Sequence, residues 1–242
     1  MNSILGNLRK TVKENRLINP GDRIAVGLSG GKDSMALLHA LKHYQSFSPD
    51  PFELEAITID LGFENFDLDK AKAFCHELGV PYTITKTEIA KIVFDYREEK
   101  NPCSLCANMR RGALANTMNE QGLNVLALGH HADDALSTLF MNTLYAGKLN
   151  TLEYYSFLSR SSIHLIRPLL DASEASIKGY VKSNSIPILK SPCPMDQKTK
   201  REEINHLLKS IYKEIPDSRK NMLTAMRNSD QCNLFKNAKE PL

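Results

Sequence analysis

The strongest constraint on this 242-residue chain is a hexapeptide set between two kinds of hydrophobic pattern. Ser29-Gly30-Gly31-Lys32-Asp33-Ser34 follows the apolar run RIAVGL at 23–28 and leads straight into helical periodicity that begins near Asp33. A buried strand that turns through two glycines into a helix is a unit of a parallel sheet. The pattern recurs, with short apolar strands at 54–59, 125–128 and 163–166 and another near 82–85. Helical periodicity follows at 68–78, 133–145 and 173–182, and a first amphipathic helix carries Ile4, Leu5, Leu8 and Val12 on one stripe. The alternation predicts an α/β fold, a mostly parallel sheet with helices on both faces. Beyond Pro194 only helix is expected, which divides the chain into a domain at 1–190 and a small helical extension at 191–242.

Open parallel sheets bind ligands beyond the carboxyl ends of their strands, and the hexapeptide falls there. Its glycines let backbone approach an anion, and the amides that follow open a helix whose dipole favours negative charge. Lys32 adds a mobile cation, and Ser29 and Ser34 add hydroxyl donors. The spacing is neither that of a Walker A loop nor Gly-x-Gly-x-x-Gly. Nucleotide phosphate is the expected ligand; a turn needing glycine only for packing is the plainer alternative. A second loop, Gly129-His130-His131-Ala132-Asp133-Asp134, again links strand to helix. Helix capping accounts for one carboxylate, whereas an adjacent pair facing a polyphosphate suits Mg²⁺. His130 and His131 are either donors to pyrophosphate or loop residues without a role.

Five cysteines, an odd number, accompany an N-terminus that lacks the pattern of a signal peptide. A cytoplasmic location with reduced thiols is the expectation. No apolar run approaches the roughly 20 residues of a membrane span. Cys103 and Cys106 stand in Cys-x-x-Cys spacing, and Cys193 lies between Pro192 and Pro194. These three fit a zinc site completed by Asp196 or a histidine, or a 4Fe-4S cluster with one open iron; a redox dithiol at Cys103 and Cys106, or three unrelated cysteines, are the alternatives. Cys75 and Cys232 read as bystanders in helical surroundings. The net charge of +3 hides a gradient: four basic residues against one acidic in 1–20, eleven against seven in 190–242, and −4 between. Basic ends suit an RNA-facing rim and equally suit solvated helix faces.

SGGKDS after a strand resembles the signature of the PP-loop ATP pyrophosphatase superfamily. With CSLCANMRRGAL, ALGHHADDALSTLFMNTLYAGKL, IRPLLDASEASI and IPILKSPCPMD in that order, residues 20–200 resemble the tRNA 2-thiocytidine synthetase family. The resemblance implies an ATP-dependent, iron-sulfur-dependent tRNA sulfurtransferase that adenylates a pyrimidine carbonyl and then inserts sulfur. It implies phosphate binding by Ser29, Gly30, Gly31, Lys32, Asp33 and Ser34, with Lys32, Asp33 and Asp133 in catalysis. Asp60 would flank the nucleoside, Gly129 and Asp134 would complete the ATP and Mg²⁺ site, and Cys103, Cys106 and Cys193 would hold the cluster. The implied partners are tRNA and a sulfur donor, either sulfide or a cysteine desulfurase product, and a homodimer is compatible. Arg110, Arg111 and the basic C-terminal helices are candidates for RNA phosphate contact. Asp196 stands where relatives often carry a further cysteine. Competing readings are a sulfur transferase for another RNA base or a small molecule, and a nucleotide- and cluster-binding sensor without turnover.

Overall fold

The computed structural model describes residues 4–64, 66–97, 102–195 and 199–228, so Asp196 and Cys232 lie outside the described residues. The chain runs α1 (Ile4–Asn15), β1 (Arg23–Gly27), α2 (Lys32–Gln45), β2 (Glu53–Asp60), α3 (Asp69–Glu77) and β3 (Tyr82–Lys86). A short α4 (Ile89–Lys91) continues as a π-helical turn (Ile92–Tyr96), followed by α5 (Pro102–Glu120), β4 (Val125–Ala127) and α6 (Ala132–Ala146). β5 (Tyr155–Leu158), β6 (Ile163–Ile166), α7 (Glu174–Ser183), α8 (Lys200–Glu214) and α9 (Ser218–Arg227) complete it. Every strand and helix expected from periodicity is present, with small shifts at the ends. The structure adds β5, α4 with its π-turn, and the 19-residue α5.

The six strands lie in the order β3-β2-β1-β4-β6-β5, parallel throughout except for the antiparallel β5–β6 pair. Alternation along β1 supplies both faces of the sheet. Ile24 and Val26 pack into one core with Leu8, Leu38, Phe74 and Ile177, whereas Ala25 packs into another with Ile57, Val93, Leu114 and Met118. The first core is covered by α1, α2, α3 and α7, the second by α4 and α5, so helices cover both faces. Each Leu, Ile, Val, Met or Phe among them contributes about 1.5–3 kcal/mol when fully buried. A third, smaller cluster joins Leu136 of α6 to Ile204 and Leu208 of α8, with Met222 and Leu223 of α9 against it. This cluster docks the helical extension. No helix among the described residues is long and apolar enough to cross a membrane.

The strand order fixes where a ligand can sit. From β1 the chain moves outward through β2 and β3, then returns to β4 on the other side of β1. The loops leaving β1 and β4 therefore lie side by side at the carboxyl edge of the sheet, where the strand order reverses and ligands of open parallel sheets bind in a crevice. The Gly30-Gly31 loop and the Gly129–Asp134 loop are these two loops.

Candidate active site

Gly30 has φ +81, and a Cβ there would stand 2.8 Å from Leu189 Cβ. The Leu189 amide also donates to the Gly30 carbonyl at 2.9 Å, tying the segment before Cys193 to the phosphate loop. Gly31 has ordinary extended geometry (φ −72, ψ 159) at the N-cap of α2, and a Cβ there would meet only Ser29 Oγ, at 3.5 Å. Its outer face is open. Ser34 braces the turn: its hydroxyl donates to the Gly31 carbonyl at 3.0 Å and accepts from the Ser29 amide at 3.2 Å. Lys32 Nζ lies 3.0 Å from Asp33 Oδ2 and 3.1 Å from Glu174 Oε1. Burial opposes the charge on Lys32, but Asp33 and Glu174 outweigh it and hold the ammonium above the ordinary lysine pKa.

The second loop presses against the first. A Cβ on Gly129 would stand 2.8 Å from the Asp33 carbonyl carbon and oxygen, so only glycine permits this contact. His131 is the N-cap of α6, and its amide donates to Asp134 Oδ2 at 3.0 Å. Its Nε2 stands 3.4 Å from Asp134 Oδ2 and 3.6 Å from Asp33 Oδ1, and the latter oxygen is buried without a hydrogen-bond partner. Burial lowers the His130 pKa to about 4; Asp134 opposes this, while Arg167 and Arg201 add to it, leaving the ring neutral at pH 7.

Asp133 is bonded quite differently. Arg219 Nε donates to its Oδ1 at 2.7 Å, and Arg219 Nη2 to its Oδ2 at 3.0 Å. The Glu174 amide donates to Oδ2 at 2.8 Å. Burial disfavours the ionised carboxyl, yet these donors outweigh it and hold Asp133 below the usual carboxylate range. Asp133 thus sits on the N-terminus of α7 as well as in the first turn of α6. With the start of α2 at Lys32, the N-termini of α2, α6 and α7 converge on the crevice, and their dipoles make it receptive to anions. Asp60 ends β2 beside β1 at the same sheet edge, and its Oδ1 accepts from the Gly62 amide at 3.0 Å.

Cys103 and Cys106 occupy the first two turns of α5, three residues apart and hence on neighbouring positions of the helix surface. Cys103 is exposed, and Cys106 and Cys193 are half-buried, all as free thiols. Burial pushes the Cys106 thiol up, Arg110 opposes this, and Cys193 and Cys103 both add to the rise, so the three sulfurs share one electrostatic neighbourhood. Among the described residues no three His, Cys, Asp or Glu side chains already stand in metal-ligand geometry. Cys75 is buried in the first core, where burial raises its pKa to about 11.

A family model described as a PP-loop domain matches residues 3–211. The chain belongs to the PP-loop family. It is 36% identical over 222 residues to the tRNA-cytidine(32) 2-sulfurtransferase of Pelobacter propionicus, a match covering 90% of this chain and 82% of that protein. The enzyme of the same description from Neisseria gonorrhoeae is 35% identical over 220 residues, covering 90% of this chain and 69% of the other. The U34-tRNA thiolase NcsA from Methanococcus maripaludis, solved with its 4Fe-4S cluster, superposes with a TM-score of 0.75 at 26% identity, covering 95% of this chain and 78% of that one. The likeness to the tRNA 2-thiocytidine synthetases read from the motifs therefore holds at the level of the family.

Within this PP-loop chain the structure brings Ser29–Ser34, Gly129, His131, Asp133 and Asp134 together at one crevice. It also brings in residues the sequence reading did not single out: Glu174 against Lys32, Arg219 against Asp133, and Arg201, whose Nη1 lies 3.8 Å from Asp134 Oδ1. Arg167, buried after β6, donates to the Glu153 carbonyl at 2.6 Å, while its buried Nε has no partner. Only Glu174 carried a local signal, as the first helical residue behind a strand's carboxyl end.

Proposed function

We propose that this chain is an ATP-dependent, iron-sulfur-dependent tRNA thiolase that converts a cytidine of tRNA to 2-thiocytidine. The observation that carries the reading is the tie between the phosphate loop and the third cysteine. The Leu189 amide bonds the Gly30 carbonyl at 2.9 Å, and Cys193 follows four residues later. Even fully extended, four residues span at most about 14 Å, so Cys193 lies within that distance of Leu189, the residue that touches the phosphate loop. The relatives' tRNA 2-sulfurtransferase activity and the cluster of the M. maripaludis thiolase support the same reading.

In this reading the amides of the Gly30-Gly31 loop, the hydroxyls of Ser29 and Ser34, and Lys32 hold the phosphates that leave as pyrophosphate. Lys32 is held in place by Asp33 and Glu174 and exchanges those carboxylates for phosphate oxygens. Asp33, through its unpartnered Oδ1, and Asp134 are the residues that fit Mg²⁺, which when bound neutralises polyphosphate charge. Asp133, with three donors already on its two oxygens, keeps room for a single further hydrogen bond rather than for chelation. Asp60 flanks the nucleoside. Preorganised donors and helix N-termini supply most of the adenylation step.

The cytosine C2 carbonyl oxygen attacks the α-phosphorus, the α–β bridging bond breaks, and pyrophosphate leaves. Sulfide then forms the C–S bond as AMP departs, and a proton is released; sulfur from a cysteine desulfurase arrives as a persulfide and enters the same step once a two-electron thiol reductant has released it as sulfide. Cys103, Cys106 and Cys193 are the thiolates that would hold a 4Fe-4S cluster, which when bound supplies an open iron for sulfur delivery. The exposed Arg110 and Arg111 on α5 are placed to contact RNA phosphates beside the cysteines. We assign residues 1–190 to the catalytic domain and 191–242 to an extension that returns the third cysteine to it. The cytoplasm, with its tRNA and reducing poise, is the compartment this chemistry fits.

The test is anaerobic reconstitution with iron and sulfide, followed by incubation with ATP, Mg²⁺, sulfide and tRNA. AMP, pyrophosphate and 2-thiocytidine in the nucleoside digest are expected. Absence of both AMP and a thiolated nucleoside overturns the thiolase reading, and stoichiometric zinc without iron overturns the cluster.

A further inference from the structure

The acid with the most donors in the crevice is held from outside the PP-loop domain. The family match ends at residue 211, and Arg219 lies beyond it, as the second residue of α9. Its guanidinium meets Asp133 side-on through Nε and Nη2, at 2.7 and 3.0 Å. Two parallel charge-assisted bonds of this kind fix both distance and plane, which a lysine at the same place would not do. The placement of Arg219 is itself well determined. Asp217, with φ 64, turns the chain sharply between α8 and α9, Ser218 beside it is buried, and Met222 and Leu223 pack on the cluster around Leu136 and Leu208. The third donor to Asp133 is the Glu174 amide, which opens α7, and the Glu174 side chain meets Lys32. A continuous chain of contacts thus runs Arg219–Asp133–Glu174–Lys32, from the last described helix to the phosphate loop. Arg201 of α8 repeats the device on a smaller scale, donating to Thr138 Oγ1 at 3.3 Å and to the Asp134 carbonyl at 3.4 Å.

We infer that Arg219 is a positioning residue for the adenylation step: by fixing Asp133 it holds the N-terminus of α7, and with it Glu174 and Lys32, in the arrangement that receives the polyphosphate. The inference rests on the ATP-dependent reading of the crevice. Arg219 also neutralises one of four carboxylates (Asp33, Asp133, Asp134 and Glu174) that an incoming triphosphate would otherwise meet. The helical extension is then part of the catalytic apparatus and more than a support for RNA.

The test uses the full reconstituted chain with Arg219→Ala, Arg219→Lys, Asp133→Asn and the double variant Arg219→Ala/Asp133→Asn, measuring AMP release at varied ATP and amide hydrogen exchange without substrate. Arg219→Ala is expected to lower kcat by about 100-fold with KM for ATP within about threefold, the signature of misplacement rather than lost binding. Added guanidinium is expected to restore part of the Arg219→Ala rate. Arg219→Lys should fall between wild type and Arg219→Ala, and the double variant should be no slower than Asp133→Asn alone. Exchange should rise at the start of α7, where the Glu174 amide loses a fixed acceptor, with α8 still protected. Three results each overturn the inference: an unchanged kcat in Arg219→Ala, a multiplicative loss in the double variant, or faster exchange across α8 and α9 without guanidinium rescue. Inactive wild-type protein would count against the function reading alone, since the exchange result still decides whether Arg219 orders α7.

Discussion

The two glycines of the phosphate loop make opposite predictions, because the structure gives them different jobs. Gly30 sits at φ +81, and an added Cβ would stand 2.8 Å from Leu189 Cβ. A left-handed conformation costs a non-glycine residue about 1–2 kcal/mol, and overpacking adds about 1–3 kcal/mol. Gly30→Ala should therefore destabilise the fold by about 2–5 kcal/mol, which for a domain of this size is a fall in Tm of roughly 4–20 °C. Gly31 has φ −72, and its nearest Cβ neighbour would be 3.5 Å away. In Gly31→Ala a less flexible unfolded chain contributes about 0.4–1 kcal/mol, and this offsets the similar cost of alanine at an N-cap. Its Tm should stay within a few degrees of wild type. The same methyl, however, projects from the open face where phosphate must approach the amides, so affinity for a non-hydrolysable ATP analogue should fall steeply. Calorimetric melting of both variants, with titration of the analogue into Gly31→Ala, checks the argument. Equal losses of Tm in the two variants, or analogue binding by Gly31→Ala at wild-type strength, would refute it.

Lys32→Ala is expected to abolish most AMP formation while leaving the anaerobic cluster absorption intact, because Lys32 touches Asp33 and Glu174 and no cysteine. Alkylation of the metal-free protein, followed by mass spectrometry, should modify exposed Cys103 first, Cys106 more slowly because burial raises its pKa, and buried Cys75 last; reconstitution should protect Cys103, Cys106 and Cys193 together. Stability should fall as pH drops from 6.5 toward 4, since burial and His43 lower His39 to about 4 in the folded state and the unfolded chain takes up the proton first. Solvent screening of this half-exposed ring limits the loss to about 1–2 kcal/mol. His39→Gln should flatten the urea midpoint between pH 7 and 4.5, and an undiminished drop in that variant would assign the acid sensitivity to other groups.

What could be read from the sequence, and what could not, follows the range of the forces involved. β1 and β4 were legible because strands buried on both faces are continuous apolar runs, β2 and β6 because apolar residues dominate them despite Glu55 and His164, α2 because its first half is buried nearly all round, and α7 because one face of it meets the core. β5 escaped because it is a four-residue antiparallel edge whose side chains alternate between exposed and half-buried. α5 escaped because its buried residues, Leu114, Ala115, Thr117 and Met118, crowd into its second half, so its cysteine-bearing first half shows no apolar stripe. The phosphate loop was legible as a string because its chemistry resides in consecutive amides and glycines. Lys32–Glu174 and Asp133–Arg219 join residues 142 and 86 positions apart, and nothing local distinguishes Arg219 from any other arginine on a basic helix. A motif reports the groups that substrate touches; the groups that hold those residues in place come from wherever the fold brings a complementary charge. The motifs name Asp133, but only the structure shows that both its oxygens are already bonded, and this shifts the expected metal contacts toward Asp33 and Asp134.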